Sequence, residues 1–166
     1  MANTNSPNIT LLEASPREIA DRRVSGSAKV IEKGTVEFTA NANDTLVIAR
    51  VPVDATLDSL RFAFDDLGGT ITLDGGFYQV PVDGASAPGT VVDQNALMTL
   101  VSASSAVTMT ENRFETQEIN TIAERMWELA NLADRPSYEQ FDFALTVVTG
   151  TTPTVGTVSW YIEYTL

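Results

Sequence analysis

Carboxylates are the only abundant side chains in this sequence with catalytic capacity: it holds 22 Asp and Glu but no cysteine and no histidine. Asp65-Asp66, Asp74 and Asp83 all lie in glycine-containing stretches. Two chemistries follow from such residues. One is glycosidic hydrolysis by a pair of convergent carboxylates; the other is calcium binding by oxygen ligands. The spacing fits neither. Successive side chains on an extended chain point apart, so Asp65-Asp66 is a poor chelating pair. The Asp-x-Asp-x-Asp-Gly loop of an EF-hand is absent, and Asp beside Gly is ordinary β-turn chemistry. Without Cys and His, the usual zinc ligand set, the Cys–His pair and the Ser–His–Asp triad are all excluded, as are disulfides. Gly68-Gly69 and Gly75-Gly76 neither open a helix nor precede Lys-Ser/Thr, so they are not phosphate loops. The sequence therefore predicts no enzyme, no catalytic residue, no metal and no cofactor.

Residues suited to recognition are easier to find. In the closing segment Val158, Trp160, Ile162 and Tyr164 share one face of a strand, which is core packing. Tyr161 falls on the opposite face beside Ser159 and Glu163 and is the candidate exposed contact. Residues 1–14 are polar except for Ile9, Leu11 and Leu12, and Arg17, Arg22 and Arg23 cluster just beyond. This is the one local basic cluster in an acidic chain. Ile9, Leu11, Leu12, Arg17, Arg22, Arg23 and Tyr161 are therefore the expected partner-binding residues, with the arm docking on a neighbouring subunit or folding back. The long loop at 81–94 is a further contact element.

The elements that would carry these residues follow from periodicity. Ser15-Pro16-Arg17-Glu18 has the signature of a helix start, predicting a short helix to about Arg23. From Lys29 the period becomes two: Val36, Phe38 and Ala40 alternate with polar residues. Thr45–Val51 is almost continuously apolar, which predicts a strand covered on both faces. Leu60, Phe62 and Phe64 alternate, and Thr70–Leu73 and Phe77–Val80 read as short strands on either side of an Asp74-Gly75-Gly76 turn. Residues 95–110 fit a strand or a helix. Ile119, Ile122, Met126, Leu129 and Ala133 recur at three- and four-residue steps and predict an amphipathic helix over 116–133. Phe141, Phe143, Leu145 and Val147 begin the final pair of strands. Seven or eight strands with one inserted helix predict a mainly β protein, an antiparallel β-sandwich or jelly roll. The organisation expected is an N-terminal arm over 1–28 and a sandwich domain over 29–166.

A net charge of −12, with two lysines and eight arginines, leaves no basic stripe to displace counterions from phosphates. The same charge would be repelled by an anionic membrane surface. No run approaches the ~20 apolar residues of a membrane span, and residues 1–12 lack a secretory pattern. Nucleic acid and membrane are not expected partners, and synthesis in the cytoplasm is expected.

Several segments taken together resemble a known family. Thr35-Val36-Glu37-Phe38, then Asn43-Asp44-Thr45-Leu46-Val47-Ile48-Ala49-Arg50-Val51-Pro52, then Asp66-Leu67-Gly68-Gly69-Thr70-Ile71-Thr72-Leu73-Asp74-Gly75-Gly76-Phe77-Tyr78 are similar to the opening half of small structural proteins from tailed-phage head modules. Trp127–Leu132, Tyr138–Val148 and Gly156–Tyr164 resemble the closing half. The resemblance spans residues 35–166. It implies a β-sandwich virion component, a decoration or cement protein on the outer capsid surface, with the major capsid protein and further copies of itself (a homo-oligomer) as partners. The alternative reading is a carbohydrate- or receptor-binding virion module using exposed aromatics such as Tyr161 or Tyr78.

Overall fold

The computed structural model describes residues 3–5 (backbone), 29–82, 88–111 and 124–166. Among the described residues there are nine strands, all but the polar β1 built on alternating or continuous apolar stretches: β1 Asn3–Asn5, β2 Lys29–Thr39, β3 Thr45–Pro52, β4 Thr56–Phe64, β5 Thr72–Gln79, β6 Val91–Ser102, β7 Val107–Glu111, β8 Gln140–Thr149 and β9 Val155–Thr165. They make a five-stranded sheet, β1-β3-β8-β5-β6, and a four-stranded sheet, β2-β9-β4-β7. The pairing is nested. β2 pairs with β9, β3 with β8, β4 with β7 and β5 with β6, all antiparallel. This is the order produced when a long antiparallel ribbon is wrapped across itself, the jelly roll. β4–β9 and β5–β8 pairings then close each sheet.

Period-two patterning sends one face of each sheet into a shared core. Phe62, Phe77, Phe141, Phe143 and Trp160 are its largest fully buried members, packed with Leu46, Ile48, Leu57, Leu60 and Leu67. Phe77 lies 5.0 Å from Phe141 between ring centroids, and Phe62 lies 6.2 Å from Phe143. The first contact lies within the five-stranded sheet, and the second ties one sheet to the other. Each such side chain contributes about 1.5–3 kcal/mol by burial.

Three local expectations are corrected by the fold. Asp74-Gly75-Gly76 is no turn but the middle of β5, which runs unbroken between β8 and β6. The glycines serve close packing here: a Cβ on Gly76 would lie 2.0 Å from the Asp93 carbonyl oxygen. True turn glycines occur at Gly68 and Gly69, with φ of 93° and 39°. The loop after β5 is shorter than expected, because β6 begins at Val91.

The third correction concerns the helix over 116–133. Residues 112–123 lie outside those described, and the remainder holds a single helical turn, α1, Met126–Leu129. Arg125 is extended and bridges Thr56 on β4, and Asn131 has a left-handed φ of 54°. At the start of the helical turn, Met126 N–H donates to the Ala55 carbonyl (2.8 Å) and Trp127 N–H to that of Val53 (3.1 Å), which serves two N–H groups that the first turn of a helix leaves unpaired. Met126 and Leu129 still bury themselves, so the apolar spacing reported a covering segment and overstated its regularity. Arg135 Nε donates to both Asp54 oxygens at 3.0 and 2.8 Å, and its Nη2 to Glu139 at 2.9 Å, which fastens this segment to the β3–β4 turn.

Candidate functional site

Asp65, Asp66 and Asp74 each accept a backbone N–H. Asp66 Oδ1 accepts the Gly68 N–H at 2.8 Å and Asp65 Oδ2 that of Thr157 at 3.2 Å. Asp74, buried on β5, accepts the Leu100 N–H at 2.8 Å and the Gln94 side-chain amide at 3.3 Å. That bond holds a bulge in β6 in which Leu100 adopts a φ of 49° and turns its side chain outward. Asp83 lies outside the described residues. Among the described residues, no group of three or more Asp, Glu, His or Cys is placed to hold a metal ion.

What remains are the two outward sheet faces. On the four-stranded sheet the register lines up Lys33, Tyr161, Arg61 and Glu111 in one row across β2, β9, β4 and β7. Tyr161 is only partly buried. The Arg61 guanidinium carbon lies 5.4 Å from its ring centroid. Its hydroxyl donates to Glu163 at 3.0 Å, and the bond to that carboxylate holds the phenol above its usual pKa. Lys29 donates to the same Glu163 at 2.7 Å and holds that carboxyl below its usual range. Glu111 in turn accepts from Arg61 Nε (2.9 Å), the Leu60 N–H (2.8 Å) and the Ser59 hydroxyl. Ile31 and Val155, 53% and 64% exposed, add apolar area to this open, charged face.

The five-stranded sheet is different. Its outward rows are Arg50–Asp142–Tyr78, Val47–Ala144–Gly76 and Thr45–Thr146–Asp74, and they are buried. Asp142 is 1% exposed and Tyr78 4%. Arg50 donates to Asp142 through Nε at 2.7 Å and Nη2 at 3.1 Å, a two-point bond. Burial outweighs the guanidinium and pushes the Asp142 carboxyl above its usual pKa. The Tyr78 hydroxyl is 2.5 Å from Thr146 Oγ1. Val47, Tyr78 and Ala144 form a small apolar cluster separate from the main core.

Of the expected partner-binding residues, Ile9, Leu11, Leu12, Arg17, Arg22 and Arg23 lie outside the described residues, as does the short helix to Arg23. Asn3–Asn5, at the start of the arm, pairs in parallel with Thr45–Val47 as an edge of the five-stranded sheet. Tyr161 is on the open face, with Trp160 and Tyr164 turned into the core. Tyr78, the other aromatic considered for a receptor contact, is buried, because Asp142 and Gly76 beside it belong to a covered face. Lys33, Arg61 and Glu111, which flank Tyr161, were not singled out from the sequence. Only cross-strand register brings them together. The Arg50–Asp142 pair did leave a signal: each is a lone charge inside an apolar run.

No protein-family model matches the chain, and no curated protein matches it by sequence. Among solved structures, a chain in the capsid of Ralstonia phage GP4 is 17% identical, with a TM-score of 0.64 over 99% of this chain and 97% of that one. A chain in the cyanophage Pam1 capsid asymmetric unit is 18% identical, with a TM-score of 0.52 over 90% and 93%. These likenesses establish a shared jelly-roll fold.

Proposed function

We propose that this chain is a non-enzymatic structural protein of a tailed-phage head that binds the outside of the capsid and stabilises it, as decoration or cement proteins do. The observation that carries this reading is the end-to-end match of the fold to a chain of a phage capsid structure. The match covers 99% of this chain and 97% of that one, so it is not confined to a fragment of either. The charge fits: a surface of net −12 suits the outer side of a shell, away from packaged DNA. The contact elements proposed are the N-terminal arm, with Ile9, Leu11, Leu12, Arg17, Arg22 and Arg23, and the open face around Tyr161. Many weak contacts repeated over a shell supply affinity that one copy lacks. The partners are then the major capsid protein and further copies of this chain, and the location is the virion surface. The glycan-binding alternative loses one of its two aromatics, since Tyr78 is inside, and Arg61 already stacks on the other.

Co-sedimentation with mature capsids stripped of this protein, and with unexpanded shells, tests the reading. Saturable binding at a fixed number of copies per capsid subunit, with shells harder to disrupt, is the expected result. Absence of binding to either particle would overturn it.

A further inference from the structure

Each sheet edge is a row of unpaired backbone groups that must be managed. Three of the four are blunted among the described residues. β1 has three residues; β7 has five with a register shift; β6 is broken by three shifts. The fourth, β2, is eleven residues long and pairs with β9 at every position without a bulge. No described strand pairs with its other side.

The charges on β2 specify how a second strand would add. Lys29, Ile31, Lys33, Thr35, Glu37 and Thr39 share the outward face and are exposed. Lys33 and Glu37 have no ionic partner among the described residues, whereas Lys29 is held by Glu163. When two copies pair antiparallel about a two-fold perpendicular to the sheet, residues on the same face lie opposite each other. The centre of symmetry then decides the pairs. Centred on Lys33 or Glu37, like charges meet at the axis. Centred on Ile31, Lys29 meets Lys33 twice; centred on Glu32, that residue meets itself. Centres at Gly34 and Val36 pair no opposite charges. Centred on Thr35, Lys33 meets Glu37 on both sides, and no like charges are opposed.

We propose that β2 is a self-association edge: two copies join antiparallel about Thr35, fusing their four-stranded sheets into one eight-stranded sheet held by two Lys33–Glu37 pairs. Charges placed only to repel a neighbouring strand would be of like sign; this arrangement is complementary to itself. The fused sheet carries two Tyr161 faces side by side, so a dimer would meet a capsid at two points. That consequence rests on the capsid reading, but the dimer itself does not.

The test uses charge exchange in the full chain, followed by sedimentation velocity. Lys33→Glu and Glu37→Lys each turn both pairs repulsive, and each variant should weaken self-association by about tenfold or more. Mixing the two variants restores opposite charges across the axis and should return wild-type affinity, an outcome that misfolded variants cannot produce. The absence of cysteine allows a second readout. Directly opposed residues lie at about 4.5–5.5 Å between Cα atoms, within disulfide range. Thr35→Cys should therefore oxidise to a covalent dimer, and Ile31→Cys, which faces Thr39 of the second copy, should not. A monomeric wild type, or single variants that associate like wild type, or equal cross-linking of the two cysteine variants, would each overturn the proposal. Capsid binding by a monomeric wild type would overturn the dimer while leaving the capsid reading intact.

Discussion

The outward faces of the two sheets are built by the same alternation, yet they are different kinds of surface. Around Tyr161 the outward residues of β9, β4 and β2 are charged, hydroxylated or singly apolar, and apart from Ser59 they are half-buried or exposed. Around Ala144 the outward residues of β8, β3 and β5 are buried except for the half-buried Arg50, and they include its ion pair with Asp142. A strand with one open face reads as alternation, and a strand with both faces covered reads as a continuous apolar run. β2 and β9 are of the first type, β3 and β8 of the second. The difference is one of exposure: the outward face of the five-stranded sheet is mostly buried, and that of the four-stranded sheet is partly exposed, which is why the latter is the surface proposed for a partner.

Breaking that contrast should have its largest effect at Asp142. Asp142→Ala removes the carboxylate that the Arg50 guanidinium bonds at two points and should cost about 3–5 kcal/mol of unfolding free energy, read from urea midpoints. Replacing the pair together, Arg50→Met with Asp142→Leu, should recover most of that loss. Recovery would show that the pair serves the fold and not a ligand. Next in size is Gly76→Ala. Its methyl group meets the Asp93 carbonyl and should cost on the order of 1–3 kcal/mol, as overpacking does. On the open face, Tyr161→Ala gives up the Arg61 contact and should shift stability by only about 0.5–1 kcal/mol, with capsid binding reduced far more than stability.

The smallest effect expected is in pH dependence, where the faces have opposite signs. Asp142 binds its proton more tightly in the fold than at its ordinary pKa of 3.8. Its contribution to stability is thus full below that pH and is lost as pH rises through the higher native value. Glu163 has its native pKa below 4.5. Its contribution is present above pH 4.5 and is lost as pH falls through the lower native value. Urea midpoints measured across the acid range should fall less steeply on acidification for Glu163→Gln than for wild type. An unchanged slope would mean that Lys29 does not hold the carboxylate in solution.

Much of this contrast was legible in the sequence. The alternation of Val36, Phe38 and Ala40, the continuous run at Thr45–Val51, and the separation of Tyr161 from Trp160 and Tyr164 all appear in the fold as read. Asp65 and Asp66, read as turn residues, bond backbone N–H groups at the end of β4. The misreadings came where a local signal competes with distant partners. Asp74-Gly75-Gly76 has turn composition, but β6 and β8 hold it as strand. The 116–133 spacing is helical, but among the described residues the extended Arg125 and the left-handed Asn131 bound a single turn. Glycine-rich composition suggests a turn until a neighbouring strand needs the space of a Cβ. The row Lys33–Tyr161–Arg61–Glu111 was illegible for a related reason: its members come from four strands, and their adjacency depends on pairings over as many as 128 positions.

The proposal that the outward face of the four-stranded sheet meets a capsid is tested most directly by co-sedimentation of the double variant Arg61→Glu, Tyr161→Ala with stripped capsids. The account predicts a urea midpoint within about 1 kcal/mol of wild type and a capsid affinity reduced at least tenfold. Full capsid binding by a normally folded double variant would contradict it.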